Sequence, residues 1–255
     1  MIRIKSAREI DRMAQGGAVL AAAREVLEKA VKPGISTLDL DRIAEDFIRS
    51  HPGAKPSFKG LYGFPGSICV SINNEIVHGI PSKKRVLREG DIVSIDIGVL
   101  FEGYHTDSAT TVAVGAIPDE SARLLDATRR ALDAGVLEAR AGNHIGDIGA
   151  AVQSVVAAAG FSVVKDLVGH GIGESFHEEP QVPNYGKPQR GTRLVPGLTI
   201  AIEPMVNAGK PDTRTMPDKW TIVTVDGSRS AHFEHTVAIT ENGPLVLTAS
   251  APPRP

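Results

Sequence analysis

Leu87 to Asp96 reads LREGDIVSID, and Leu194 to Glu203 reads LVPGLTIAIE. A shift of 107 positions lays Leu87 on Leu194, Gly90 on Gly197, Val93 on Ile200, Ile95 on Ile202 and Asp96 on Glu203. Each segment is a glycine turn that runs into a β-branched strand and ends on a carboxylate. A second pair lies upstream at almost the same spacing. Lys32 to Ile48, KPGISTLDLDRIAEDFI, matches Arg140 to Val156, RAGNHIGDIGAAVQSVV, at a shift of 108, with Gly34 on Gly142, Asp39 on Asp147, Leu40 on Ile148 and Ile43 on Ala151. The chain therefore contains itself twice. Halves related by an approximate twofold bring an equivalent acid each, Asp96 and Glu203, toward a shared centre.

Each upstream segment follows a stretch whose apolar residues recur at three and four positions, predicting helices over Ala18 to Val31 and Ser121 to Ala139. Gly34 and Gly142 then mark helix ends, and Asp39 and Asp147 read as N-caps of the helices that follow. The order helices, strands, helices, strands predicts an α+β fold with helices covering one face of a largely antiparallel sheet. One domain over residues 1–250 is expected, in two related halves of about 1–115 and 116–250, with a frayed tail at 251–255. Pro204 to Trp220, rich in Pro, Gly, Asp and Thr, reads as a long loop.

Strand alternation in Asp91 to Val99, DIVSIDIGV, puts Val93, Ile95, Ile97 and Val99 on one face and Ile92, Ser94, Asp96 and Gly98 on the other. An acid amid β-branched residues either faces water or is held inside for a purpose. Glu102-Gly103 looks like a hairpin turn, and the next strand, opening on Asp107, returns a second acid beside Asp96. Glu203 in TIAIEPM and Glu234 in AHFEHTVAIT repeat the pattern in the second half. Four acids next to apolar strands describe an oxygen-rich cage, and like charges held close in the interior demand cations. His170 and His177, in LVGHGIGESFHEEP after the strand-like VVKDLV, bring nitrogen among glycines where backbone can crowd a site. His78 in IVHGIP comes from the first half. His232 and His235 flank Glu234, and His51, His105 and His144 have no comparable context. One imidazole with four carboxylates is too few donors for two separate six-coordinate ions. Bridging carboxylates and a bridging water solve the count, in a pair of cations about 3.5–4 Å apart. Oxygen-dominated ligation with one imidazole suits Mn, Fe, Co or Zn.

The 255 residues are 42% hydrophobic and 23% charged, ordinary for a globular chain, and the formal charge of -2 supplies no global attraction to nucleic acid or anionic membrane. The basic run Lys83, Lys84, Arg85 and Arg88 reads as a solvated loop. Cys69 is the only cysteine, which excludes an intrachain disulfide and a thiolate zinc cluster. The charged N-terminus lacks the apolar stretch of a signal peptide, so a reducing cytoplasm is the expected location, without a membrane span.

In order and in combination, the segments SICVSINNEIVHGIP, GDIVSIDIGVLFEGYHTD, VGHGIGESFHEEP, LTIAIEPMVNAG and SAHFEHTVAIT resemble the type I methionine aminopeptidases, from about Lys5 to Leu247. The resemblance implies the pseudo-symmetric "pita-bread" fold and two divalent metal ions per chain (Co, Mn, Fe or Zn). It makes Asp96 terminal on one ion, His170 and Glu203 terminal on the other, with Asp107 and Glu234 bridging. It implies removal of initiator methionine from nascent polypeptides with a small second residue, by a cytoplasmic monomer, with the ribosome near its exit tunnel as a possible contact. Glu203 would act as general base and then acid, His177 would donate to the carbonyl oxygen, and His78 would contact the scissile amide or steady the intermediate. Tyr62, Phe64, Cys69, Phe176 and Trp220 would line the methionine pocket. Departures are Phe64, where many relatives carry Tyr, and Val77, where some carry Cys. The absence of a zinc-finger extension before Met1 and of a long insertion suggests the minimal bacterial form. A proline-specific enzyme of the same fold expects a large extra N-terminal domain and Glu-Pro-Gly in place of Glu203-Pro204-Met205. A non-catalytic homologue expects lost ligands.

Overall fold

Gly16 and Gly17 sit in the middle of the first helix, α1 (Ala7–Ala30), which starts well before the Ala18 expected from periodicity. Glycine is unfavourable there, and the reason it is used is close packing. A Cβ on Gly17 would stand 2.0 Å from the Leu247 carbonyl oxygen, and one on Gly16 would stand 2.9 Å from Phe101 Cβ. The computed structural model describes residues 2–250; the tail expected at 251–255 lies outside them.

The second helix, α2 (Thr37–Arg49), opens with a capping box. The Ser36 hydroxyl accepts from the Asp39 amide at 3.2 Å, and the Ser36 amide donates back to the Asp39 carboxylate at 3.3 Å. After α3 (Asp119–Glu138), α4 (Ile145–Ala158) repeats half of this, the His144 amide donating to Asp147 Oδ2 at 2.7 Å. Both aspartates thus lie at the third helical position. Expecting them as N-caps misplaced them by three residues, because the carboxylate reaches back to the cap rather than occupying it.

The duplication recurs bond by bond. Gly34 donates to the Leu87 carbonyl at 2.8 Å and Gly142 to the Leu194 carbonyl at 2.9 Å. Leu87 donates to Ile35 at 2.9 Å, and Leu194 to Asn143 at 2.7 Å. Gly90 donates to Val114 at 2.8 Å, and Gly197 to Ile239 at 2.9 Å.

The first half carries β1 (Ala54–Pro56), β2 (Ile68–Ile72), β3 (Glu75–Val77), β4 (Ile92–Phe101) and β5 (Tyr104–Ala113). The second carries β6 (Ser162–Val163), β7 (Gly169–Gly171), β8 (Glu178–Val182), β9 (Thr199–Ile202), β10 (Met205–Asn207) and β11 (Thr213–Thr215). It ends with β12 (Ile222–Thr224), β13 (Ser230–His232), β14 (His235–Thr240) and β15 (Gly243–Val246). All described pairings are antiparallel. β4 has β5 along one edge and β2 and β1 along the other, and a second sheet runs β15-β14-β9-β7-β8.

Several strands differ from expectation. Glu102-Gly103 does turn the β4–β5 hairpin, with φ of +46° and +90°, but β5 begins at Tyr104, so Asp107 lies inside it. VVKDLV forms a strand only at its first residue. Pro204 to Trp220 is not one loop, since β10 pairs with β13 and β6, and β11 with β12. The β10 pairings are long-range, while β11 and β12 form a short hairpin of three residues each, too short to show a period. Arg85, expected in a solvated loop, is half-buried, pairs with Glu75 and donates to the Ile80 carbonyl at 2.7 Å.

Val93, Ile95, Ile97 and Val99 pack with Leu20, Leu40 and Ile48 in a first-half core, and Ile200, Ile202 and Val237 pack with Leu132, Ile148 and Val152 in a second. The opposite face of β4 is not solvated, because Ser94, Asp96 and Gly98 are all buried, and a Cβ on Gly98 would lie within 3.0 Å of Ser57, Phe58 and Phe176. Where the halves meet, hydroxyls replace the backbone ladder. Thr236 Oγ1 accepts from the Asp107 amide and donates to the Asp107 carbonyl, both at 2.8 Å. Thr111 Oγ1 does the same to His232, at 2.9 and 2.8 Å. Ser108 donates to the Glu234 carbonyl at 2.7 Å.

Candidate metal centre

Two hairpin-like pairs aim their acids at one point. Asp96 and Asp107 lie on β4 and β5. Glu203 follows β9 and Glu234 precedes β14, the two strands pairing His235 with Ile202 at that same end. His170 is the middle residue of β7, and its glycine neighbours let the strand fit. A Cβ at Gly169 would lie 2.3 Å from the Ala201 carbonyl, and one at Gly171 would lie 2.2 Å from that of Glu179. His170 Nδ1 is within 2.8 Å of the Gly171 carbonyl and donates to it, leaving Nε2 free for the acids. Nε2 stands 3.7 Å from Glu203 Oε1 and 4.0 Å from Asp107 Oδ2. Asp107, His170 and Glu234 each offer one ligand atom within 4.8 Å of the others.

Burial dominates the electrostatics. It pushes Asp96 up to about 7, against a hydrogen bond from Asp107 that lowers it. Asp107 is pushed well up by burial and by the charges of Glu234 and Asp96. Glu203 rises through burial and then Asp107, and Glu234 through burial and then Glu203. The same desolvation, with His177 second, lowers His170 to about 4 and so keeps it neutral, the form that ligates. The His170–acid contacts are therefore not ion pairs. Asp96 Oδ1, Asp107 Oδ1 and Glu234 Oε1 have no hydrogen-bond partner among the described residues. Buried acids with unmet oxygens, crowded around a neutral imidazole, are the donor set a divalent cation satisfies, and the residues fit that group.

A cavity of about 200 Å³ opens over the acids. All of Tyr62, Phe64, Cys69, His78, Phe176, His177 and Trp220 line it. Phe64 and Trp220 meet edge-on at 5.1 Å between centroids, as do Phe58 and Phe176 at 5.2 Å. His177 lies 4.4 Å from His170, and Tyr62 stacks on it from the solvent side with 12° between planes. The Tyr62 hydroxyl is 3.3 Å from His177 Nδ1. His78 takes a left-handed φ of +60°, a strained conformation for a side-chain-bearing residue. Burial lowers its imidazole to about 4. His105 binds Ser57, and His235 binds Thr248, each at 2.9 Å.

Sequence reasoning missed Phe58 and Met205 and gave His232 only as a flank of Glu234, and all three line the cavity. Phe58 carries no local signal, while Met205 lies two residues past Glu203. His232 had one, since strand alternation puts it on the face of Glu234. Its Nε2 is 3.8 Å from Glu234 Oε2 and 3.9 Å from Glu203 Oε2, and neither ring nitrogen has a partner among the described residues. Burial, with His78 second, lowers it to about 3.

The sequence profile of Metallopeptidase family M24 matches residues 11–241. The chain belongs to this family of metal-dependent peptidases. Methionine aminopeptidase 1 of Bacillus subtilis is 54% identical over 248 residues, covering 97% of this chain and 99% of that protein. The crystal structure of a methionine aminopeptidase from Thermotoga maritima agrees with a TM-score of 0.95 at 43% identity, over 97% of this chain and 99% of the other. An Xaa-Pro dipeptidase from Bacillus anthracis agrees at 0.79 and 25% identity, over 97% of this chain but 62% of that one. Within M24, therefore, this chain sits with the methionine aminopeptidases.

Proposed function

We propose that the chain removes the N-terminal methionine of new polypeptides with small second residues, as one catalytic domain of two related halves, about 1–115 and 116–250. The observation that carries this is the cage of buried, unsatisfied acids beneath an aromatic cavity. Asp96, Asp107, His170, Glu203 and Glu234 would hold two divalent cations. Divalent cations there supply Lewis-acid chemistry, making water acidic near neutral pH and taking up a free α-amine.

Glu203 would accept the proton of the attacking water and pass it to the leaving amine. His177 would donate from Nε2 to the carbonyl oxygen as it gains charge, with the Tyr62 hydroxyl toward Nδ1 selecting that tautomer. His78 would steady the scissile amide. Ring edges from Phe64, Trp220, Phe58 and Phe176 would surround the methionine thioether, which makes favourable contacts with aromatic edges.

Metal analysis together with hydrolysis of Met-Ala-Ser against Xaa-Pro peptides, with added Mn or Co, tests the reading. Met-Ala-Ser is cleaved and Xaa-Pro is not; the reverse preference gives the proline-specific reading, and no turnover of either the non-catalytic one. His78→Ala leaves metal content intact and lowers kcat, whereas lost metal would contradict its place outside the ligand set.

A further inference from the structure

Arg3 to Ser6 precede α1 and run beside the loop Gly173–Glu178, which carries two residues of the cavity wall. The Lys5 amide donates to the Gly197 carbonyl at 2.8 Å, anchoring this arm to the turn before β9. The Lys5 side chain reaches the loop. Its Nζ donates to Glu178 Oε2 at 2.6 Å, with the two side chains only 4% and 6% exposed. The other carboxylate oxygen, Glu178 Oε1, accepts from the Ser175 amide at 3.1 Å. One carboxylate thus closes the turn Ser175–Glu178, and one ammonium from the far end of the sequence holds that carboxylate. Phe176 and His177 are the two residues inside the turn.

The fit around this pair is tight. A Cβ on Gly173 would meet Lys5 Cε at 2.4 Å, and the Gly173 carbonyl is fixed by the His105 amide at 2.8 Å. Among the described residues Lys5 is the only cation within salt-bridge distance of Glu178. The neighbouring Arg3–Glu174 pair is half exposed, and such pairs contribute little. A buried pair is different: it costs desolvation that an apolar pair of similar volume avoids, so stability alone does not explain it.

We propose that Lys5 is a positioning residue for the reaction. Through Glu178 it fixes the turn that presents Phe176 to the methionine side chain and His177 to the scissile carbonyl. The proposal rests on the role of His177 given above.

The test is a mutant cycle on the metal-loaded, full-length enzyme with Met-Ala-Ser, with metal content and melting temperature measured alongside. Lys5→Met keeps the stem and removes the charge. It lowers kcat by about 100-fold, the size expected when a reacting group is misplaced by about 1 Å, and leaves metal content unchanged. In a His177→Ala background the same change costs less than about threefold in kcat, because the reacting group it positions is gone and the displacement of Phe176 falls on KM. The double variant Lys5→Met with Glu178→Met swaps the buried pair for an apolar one, and it melts like the parent yet stays slow. The proposal is overturned if Lys5→Met costs the same factor in both backgrounds, or if the double variant regains full kcat. A His177→Ala enzyme at full speed would overturn the His177 assignment itself, and the Lys5 role with it, and is read separately from the other two results.

Discussion

The substitution Asp96→Asn should make the metal-free protein more stable, and only above mildly acidic pH. Asp96 is buried and held at about 7 from its ordinary 3.8. Between those values the unfolded chain has released its proton while the folded chain retains it. Folding stability therefore falls as pH rises through this window and levels off above it. Three units at about 1.4 kcal/mol each give roughly 4 kcal/mol of destabilisation by pH 8. Asparagine at this position keeps the shape and cannot ionise, so the variant recovers that amount, on the order of 10 °C in melting temperature for a chain of this size. At pH 5 only about a third of the window has been crossed, and the gain shrinks to under about 2 kcal/mol. The measurement is thermal and urea unfolding of parent and variant in chelator at both values of pH. Added Mn or Co should then reverse the order, because a bound cation stabilises the parent by mass action and the variant lacks the carboxylate proposed as a ligand. A variant less stable than its parent in chelator at pH 8, or a gain that is the same at both, would refute the reasoning.

Thr236→Val strips the hydroxyl that serves both the amide and the carbonyl of Asp107. Metal affinity should fall about 10- to 100-fold by competition titration, and an unchanged affinity would show that the brace is dispensable. Gly17→Ala places a methyl 2.0 Å from the Leu247 carbonyl oxygen and should cost about 3 kcal/mol in urea unfolding, with a wild-type midpoint as the contrary result. His232→Leu removes two unpartnered buried nitrogens and should stabilise the metal-free chain by about 1–3 kcal/mol in chelator; a loss of stability would mean the imidazole is satisfied.

The parts of this molecule that were legible in the sequence are those written in local or repeated patterns. The glycine turns at Gly34, Gly90, Gly142 and Gly197 and the alternation in β4 followed from spacing, because each is decided within a few residues. The acids stood out because a carboxylate in an apolar strand contradicts its neighbours. What stayed hidden depends on distant partners. α1 carries Gly16 and Gly17 because the Phe101 and Thr106 side chains and the backbone at Leu247 press against it, and nothing within the helix announces that. β10 exists because β6 and β13 pair with it, so a stretch rich in turn formers was read as a loop. The solvated alternative for the Asp96 face failed for a similar reason, since Ser57, Phe58 and Phe176, all distant in sequence, cover it at Gly98.

The repeat also explains where the centre departs from symmetry. Val114 donates to Asp91 at 2.9 Å and Ile239 to Leu198 at 2.8 Å, so β5 and β14 correspond at a shift of 125 rather than 107. The same shift carries Thr111 onto Thr236 and Asp107 onto His232, and the bonds agree: Thr236 clasps the backbone of Asp107 as Thr111 clasps that of His232. In strict register the counterpart of Asp107 is therefore an imidazole, and Glu234 falls opposite Ala109, to whose carbonyl its amide donates at 3.0 Å. The second half has moved its inner acid two residues along the strand, one full alternation, which keeps the carboxylate on the buried face. The 18 residues between the two shifts lie between Met205 and His232, and that excursion supplies Trp220 to the cavity. A duplicated frame can deliver paired acids to a twofold axis, but a peptide with one amino end needs a wall on one side only. Trp220, from the segment the two halves do not share, is part of that wall.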